Sequence, residues 1–493
     1  MQDITIEPST IIIKNNGCQI SDAPYQFLTK LDLALAYRIP GAEYSKAYKM
    51  GRWDGIKRLL TPDLRFPYGL LGRVKDLFKQ NSVPFIIEDQ RDLKSPIQSI
   101  DIIPTLSHMN KTPFPYQLEV LEAVKQEDCG IIRVATGGGK TLICALIAAY
   151  FGKTTIIYVI GNDLLHQIHT FFSSVFREKI GMIGDGICDI ARINIASVWT
   201  VGKALGLKDD IVLEDDDDER PLSEEKYVEV LDLLDKTKVH VFDECHLAGC
   251  STIQEISKHI IPEHIYGLSA SPWRDDNADL LIECVFGSKI VDISASKLIG
   301  LDFLVKPVIK FIEVDPYPEK LKKNYQTVYS KYVINNEVRN GLVARGAEKL
   351  VEQGYQTLVL FNNIKHGEIL YKEISKKIPC ILLSGKDTSE VRLAAKAKLE
   401  AGEIRCVIAS KIFDIGVDIP SLSGLILAGG GKSSVRTLQR IGRVLRKFPN
   451  KKMAAVIDFK DNAHYLKDHA KIRHKVYSSE PAFQVFWPNK SKR

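Results

Sequence analysis

The stretch Arg133-Val134-Ala135-Thr136-Gly137-Gly138-Gly139-Lys140-Thr141 lies between an apolar strand and an apolar helix. Small residues let backbone N–H groups approach phosphate oxygens, and Gly137, Gly138 and Gly139, beside Thr136, supply them. The helix that follows points the positive end of its dipole at the anion. Lys140 is expected at the β- and γ-phosphates, and the Thr141 hydroxyl on Mg²⁺. Further along, Val241-Phe242-Asp243-Glu244-Cys245-His246 reads as a hydrophobic strand ending in two acids. Asp243 is expected to share the Mg²⁺, and Glu244 to orient or deprotonate an attacking water. His246 would couple the site to what moves around it. The two segments together describe a site that binds a nucleoside triphosphate with Mg²⁺ and hydrolyses it. A glycine-rich loop can be merely structural, and Asp-Glu pairs are common on surfaces; the strand–loop–helix and strand-end settings separate these from both. The strict phosphate-loop pattern asks for glycine at 134, where this chain has valine.

Gln117, in Pro115-Tyr116-Gln117, precedes the loop. Its amide, both donor and acceptor, can read the edge of adenine, so ATP is the expected nucleotide, although a surface glutamine would look the same. Near the other end, Gln439-Arg440-Ile441-Gly442-Arg443-Val444-Leu445-Arg446 puts three arginines at i, i+3 and i+6 of a predicted helix. Gly442 lets another segment pack closely. An ordinary basic helix carries the same residues. The catalytic reading is that Arg443 and Arg446 stabilise charge on the transferring γ-phosphoryl. Arginines so remote in sequence act only if two lobes close on ATP, which makes hydrolysis a cycle of opening and closing.

The elements that must hold these residues follow from hydrophobic patterning. From about 110 to 295, strands near Ile131–Val134, Thr155–Ile160, Ile193–Ala196, Val239–Phe242 and Ile265–Leu268 alternate with helical patterns. This predicts a parallel sheet with helices on both faces. The alternation restarts after 300, with strands at Thr357–Phe361, Cys380–Leu383, Val407–Ala409, Gly424–Leu427 and Ala454–Ile457. Ahead of both blocks, Ile11-Ile12-Ile13 and Phe85-Ile86-Ile87 read as strands and Leu70 to Phe78 as a short amphipathic helix. The expected organisation is a small α/β accessory domain over 1–105, a first α/β lobe over 106–298, a second over 299–465, and a basic tail over 466–493 that frays after a helix. An acidic insertion near 209–235, with the run Glu214 to Glu219, is read as a disordered surface segment.

Bulk properties narrow the class. At 45% apolar and 26% charged, the 493 residues can bury a large core. A net charge of +6 is too mild to prove a polyanionic partner, so any basic surface must come from local clustering. The nine cysteines are scattered without a CxxC pair, which argues against a disulfide framework or zinc site and for a reduced, intracellular protein. The N-terminus lacks a basic-then-apolar signal, and Leu142 to Phe151 is too short to span a bilayer, so a soluble, cytoplasmic protein with no membrane contact is expected.

Taken in order over residues 112 to 460, these segments resemble the motifs of helicase superfamily 2. Gln117 falls at the adenine-reading glutamine, Val134 to Thr141 at motif I, and Asp243-Glu244-Cys245-His246 at motif II. Ser269-Ala270-Ser271 falls at motif III, whose last residue is usually threonine. Ser410 to Asp418 falls at motif V and Gln439 to Arg446 at motif VI. Ile160 to Gln167 keeps the leucine and glutamine of motif Ia but lacks its Pro-Thr. The resemblance implies two RecA-like lobes with ATP between them, adding Gly416, Asp418, His246 and Gln439 to the nucleotide site. It also implies nucleic acid across both lobes, held by backbone phosphates, with Thr200, Asn363 and Ser410 as contacts.

The segment Tyr48-Lys49-Met50-Gly51-Arg52-Trp53-Asp54-Gly55-Ile56-Lys57-Arg58, followed by Phe66-Pro67-Tyr68-Gly69-Leu70, resembles the N-terminal module of the UvsW-type phage helicases, which remodel branched DNA. Lys49, Arg52, Lys57 and Arg58 make it basic, and Trp53 offers a stacking surface, a combination that binds phosphates without reading sequence. The same Gly-Arg-Trp-Asp-Gly also suits a tight turn with a core tryptophan. The expected activity is ATP- and Mg²⁺-dependent unwinding or branch migration of forked and four-way DNA in an infected cell, with single-strand-binding or recombination proteins as further partners. Alternatives are an RNA helicase, a double-strand DNA translocase that does not unwind, and an ATP-gated binding module.

Overall fold

The computed structural model describes residues 8–39, 41–92, 94–207, 220–271, 279–314, 324–384, 387–410 and 419–488. The acidic run 214–219 and motif V beyond Ser410, with Gly416 and Asp418, lie outside them. The chain divides into two compact units. One holds residues 1–133 and 140–292, the other 134–139 and 293–493.

The first unit is built on an eight-stranded sheet. Its order is Ile187–Asp189, Ile180–Gly184, Ile193–Ser197, Thr155–Val159, Val239–Asp243, His264–Ser269, Cys129–Val134 and Lys289–Ile293. The pairs from Ile180–Gly184 to Cys129–Val134 are parallel, and Ile187–Asp189 turns back antiparallel. Every residue of Thr155–Val159, Val239–Asp243 and His264–Ser269 is buried. That is why these strands are continuous apolar runs and not alternating ones. The second unit holds a seven-stranded sheet with every neighbouring pair parallel, in the order Cys380–Leu383, Cys406–Ala409, Thr357–Leu360, Gly424–Leu427, Met453–Asp461, Lys306–Val314 and Gln484–Phe486. Both are RecA-like α/β lobes.

The expected frayed tail is not separate from the second lobe. Helix Leu466–Ser478 packs on strand Met453–Asp461. Arg473 and Asp458 form a buried ion pair at 2.8 Å, and the Tyr477 hydroxyl donates to Asp458 at 2.7 Å. Gln484–Phe486 then pairs in parallel with Lys306–Val314 and becomes the edge of the sheet. Leaving Asp458 buried without Arg473 would cost several kcal/mol, on the order of 3–5, so the helix is a fixed part of the lobe.

The N-terminal residues form a four-stranded sheet, Arg65–Phe66, Gly17–Ser21, Ser9–Lys14 and Phe85–Asp89, with the last two parallel. Its core of Ile11, Ile20, Phe27, Leu31, Val74 and Phe78 takes in Leu280, with Cys284 packed against it. Both come from helix Asp279–Phe286 of the first lobe. The accessory module thus shares its core with the lobe. Arg73 pairs with Glu283, and Arg91 and Lys94 both pair with Asp128. Gly69 lies where a Cβ would stand 2.6 Å from the Cys284 carbonyl oxygen.

Candidate nucleotide site and nucleic-acid surface

In a parallel sheet the carboxyl ends of the strands face the same way, and side chains placed there converge. Val239–Asp243 pairs with His264–Ser269, which pairs with Cys129–Val134. The register sets Asp243 beside Leu268, so the acidic pair and Ser269 emerge together. Helix Lys140–Phe151 starts directly after the glycine-rich loop.

The loop is shaped by positive φ angles, +87° at Gly137 and +72° at Gly139, which a side chain would oppose. Gly138 N–H donates to the Ala135 carbonyl at 2.9 Å. Val134, in the place of the usual glycine, is fully buried, and a Cβ at 138 would stand 2.5 Å from its Cγ1. Within the second unit, which takes in this loop, a Cβ at Gly442 would collide with the Thr136 side chain. A Cβ at Gly137 would lie 3.3 Å from Arg446 Cγ. Gly442 is therefore the close-packing residue its sequence position called for, and its neighbour is Thr136.

Lys140 Nζ lies 2.6 Å from Glu244 Oε1 and 3.2 Å from Asp243 Oδ1. Burial works against the lysine charge, but Asp243 and Glu244 outweigh it and raise its pKa. Burial pushes the Asp243 carboxyl up. The same burial is overcome at Glu244 by Lys140 and His246, which hold its carboxyl low. Glu244 has φ +54°, and its backbone N–H donates to Asp243 Oδ1 at 2.9 Å. His246 Nδ1 is 3.2 Å from both Glu244 Oε2 and Ser269 Oγ. Ser269 Oγ in turn donates to Glu244 Oε2 at 3.4 Å and accepts from Ser271 N–H at 3.2 Å. Ser269 was not among the expected site residues. Its signal was present in Ser269-Ala270-Ser271, but a strand-end serine says nothing of its partners until the neighbouring strand is known. Thr141 is half-buried in the first turn of the helix.

Other expected residues are placed differently. Gln117 is buried, and its side-chain oxygen accepts from Phe114 N–H at 2.9 Å, capping its own helix. The helix Ser434–Val444 holds Gln439, Arg440 and Arg443, but it ends before Arg446. Arg446 pairs instead in a β-bridge with Leu304, because the Leu445 carbonyl accepts from Val305 N–H at 2.8 Å. The three arginines thus do not share one helix. Arg440 donates to Asn362 Oδ1 at 3.2 Å.

Of the expected nucleic-acid contacts, Thr200 is buried at 2% exposure. Asn363 caps helix Ile364–Ile374 by accepting from His366 N–H at 3.4 Å. Ser410 is half-buried. Lys49, Arg52, Lys57 and Arg58 are exposed, but Arg58 is paired with Asp54 at 2.8 Å and Asp32 at 3.1 Å. Trp53 is half-buried, with its indole N–H donating to Ile56 O at 3.0 Å.

Comparison with known proteins accords with this architecture. Residues 110–274 match the family described as type III restriction enzyme, res subunit, and 342–448 match the helicase conserved C-terminal domain. Over 454 residues, 87% of this chain and 86% of the relative, the sequence is 28% identical to the ATP-dependent DNA helicase uvsW of Enterobacteria phage T4. The chain carries both of these domains and resembles the helicases of superfamily 2. It is an ATP-dependent helicase, similar to the UvsW type along most of its length. The helicase is also 25% identical over 391 residues to the DNA 3'-5' translocase XPB2 of Sulfurisphaera tokodaii, covering 71% of this chain and 82% of the relative. A fragment of a putative type I restriction HsdR subunit from Vibrio vulnificus shares its fold, with a TM-score of 0.52 at 17% identity over 90% of this chain and 80% of the fragment. No helix among the described residues is long and apolar enough to cross a membrane.

Proposed function

We propose that this helicase hydrolyses ATP to unwind or branch-migrate forked and four-way DNA in replication, recombination and repair. The observation that carries the reading is the Lys140–Asp243–Glu244 cluster, the lysine at the start of its helix and the acids at the carboxyl end of strand Val239–Asp243, in a chain similar over most of its length to a DNA helicase. Lys140 takes the β- and γ-phosphates, exchanging its present carboxylate partners for them. Thr141 and Asp243 would hold Mg²⁺, which when bound neutralises charge on the phosphates. Glu244, with His246 still beside its carboxylate, accepts a proton from the attacking water. Ser269 and His246 hold its carboxylate in place. Arg443 and Arg446 supply charge to the transferring phosphoryl group. Gln117, Gln439, Gly416 and Asp418 complete the nucleotide contacts, and Lys49, Arg52 and Lys57 hold DNA phosphates. The setting is the cytoplasm of an infected cell.

The test is ATP-dependent strand separation on a four-way DNA junction, forked DNA and a matched RNA fork, with Lys140→Ala as control. Processing of both DNA substrates, lost in Lys140→Ala and absent on RNA, is the expected result. Equal or faster opening of the RNA fork overturns the DNA assignment.

A further inference from the structure

The strand-separating element of a helicase has no motif in this sequence, but the N-terminal module has a place for one. Strands Ala36–Arg38 and Ile56–Arg58 pair antiparallel in a ribbon separate from the four-stranded sheet. Between them the chain makes an excursion through a 3-10 turn, Ala42–Tyr44, and one helical turn, Lys46–Lys49. The excursion is braced from within. Ile39 N–H donates to Gly55 O at 2.9 Å, and Ser45 Oγ accepts from Tyr48 N–H at 3.2 Å. A Cβ at Gly55 would stand 3.2 Å from the Tyr48 ring, so that ring covers the glycine. Trp53 is tied to Ile56.

Two of its three aromatic rings thus hold the shape of the excursion. The third, Tyr44, is 77% exposed, and Met50 is 52% exposed. Single exposed apolar residues are ordinary. This pair differs because it rides on a braced projection that also presents Lys46, Lys49 and Arg52 to solvent. An exposed ring among cations suits a base face bordered by phosphates, since stacking tolerates any base and the cations need no sequence. The projection is also fixed to the motor, because its module shares Leu280 with the first lobe and pairs Arg73 with Glu283.

We propose that Tyr44 is a stacking wedge that seats on the terminal base pair where a fork opens, with Met50 beside it and Lys46, Lys49 and Arg52 on the flanking phosphates. The inference rests on the DNA-helicase reading and names the element that parts the strands. A ring carried on a braced loop of the first unit turns motion along one strand into opening of the duplex, since the base pair meets an obstacle that moves with the motor.

The experiment uses the full chain on forked DNA with 2-aminopurine at the first paired position. Wild type, Tyr44→Ala and Tyr44→Phe are compared for fluorescence change on binding and for base pairs opened per ATP hydrolysed. Tyr44→Ala is expected to lose the fluorescence change and to open about tenfold fewer base pairs per ATP, the loss of one stacking contact. Tyr44→Phe keeps both. Equal opening per ATP in Tyr44→Ala, or loss in Tyr44→Phe as large as in alanine, overturns the wedge. A wild-type enzyme that opens no DNA fork, while its ATPase responds to RNA, overturns the underlying DNA reading instead.

Discussion

Glu244 is constrained in both backbone and side chain. Its left-handed φ of +54° costs about 1–3 kcal/mol for a residue with a Cβ. Its carboxylate is shared among Lys140, His246 and Ser269. Glu244→Gln keeps the shape but loses the base, so kcat is expected to fall by at least about a hundredfold, with ATP affinity retained. Stopped-time ATPase assays and equilibrium nucleotide binding separate the two, and normal turnover would remove Glu244 from its role. The residues of this site were legible because phosphate chemistry demands few residue types at fixed spacing. Their partnerships were not, and neither were the buried histidines. His240 hydrogen-bonds to Tyr158 at 2.9 Å and His366 to Asn340 at 3.0 Å. Burial pushes each pKa down to about 3 from 6.5. The unfolded chain therefore takes up protons that the fold refuses as pH drops below 6.5, and stability is lost steadily toward pH 3. Each histidine is expected to cost on the order of 2 kcal/mol by pH 5. Calorimetry between pH 7 and 5 should show a falling Tm with proton uptake on unfolding; a constant Tm would contradict this.

At the scale of elements, the apolar runs located Thr155–Val159, Val239–Asp243, Thr357–Leu360 and Gly424–Leu427 to within a residue or two, since a strand buried on both faces has little choice of residue type. They missed the inner strands Ile180–Gly184 and Lys306–Val314 and cut Met453–Asp461 short by four residues. Among the edge strands of the two sheets, Cys380–Leu383 was foreseen and the others were not. Lys289–Ile293 and Gln484–Phe486 keep exposed positions, and so read as loop or tail. The docking of the N-terminal module was equally invisible, because Arg73 and Glu283 lie 210 residues apart and neither belongs to a motif. Gly69 and Gly72 give a direct test of that docking. A Cβ at 69 would press into the carbonyls of helix Asp279–Phe286, whereas one at 72 meets nothing within 4 Å. Gly69→Ala is expected to destabilise the first unit by about 1–3 kcal/mol, and Gly72→Ala by much less. Denaturant midpoints compare them, and equal midpoints would show that the packing yields without cost.

For the whole molecule, three expected regions ahead of the tail reduce to two compact units, because the accessory module borrows Leu280 and Cys284 to finish its core. Calorimetric unfolding is accordingly expected to resolve into two transitions and not three, with the N-terminal module melting together with the first lobe. A third, independent transition that survives Gly69→Ala unchanged would mean that the module folds alone.

The edge strand Gln484–Phe486 has a consequence for how the protein is made. The first unit is encoded almost entirely within residues 1–292, whereas the second sheet lacks its outer strand until residue 486 has been added. At ordinary elongation rates the intervening stretch takes roughly 10–40 s to synthesise. During that interval the finished N-terminal half, with Lys140 already beside Asp243 and Glu244, is tethered to a growing, incomplete sheet whose last parallel neighbour has yet to leave the ribosome. Truncation by premature termination after residue 480 would therefore release chains that carry the acidic pair and its lysine but an unfinished second sheet with an open strand edge, a substrate for chaperones and proteases before it is ever a motor.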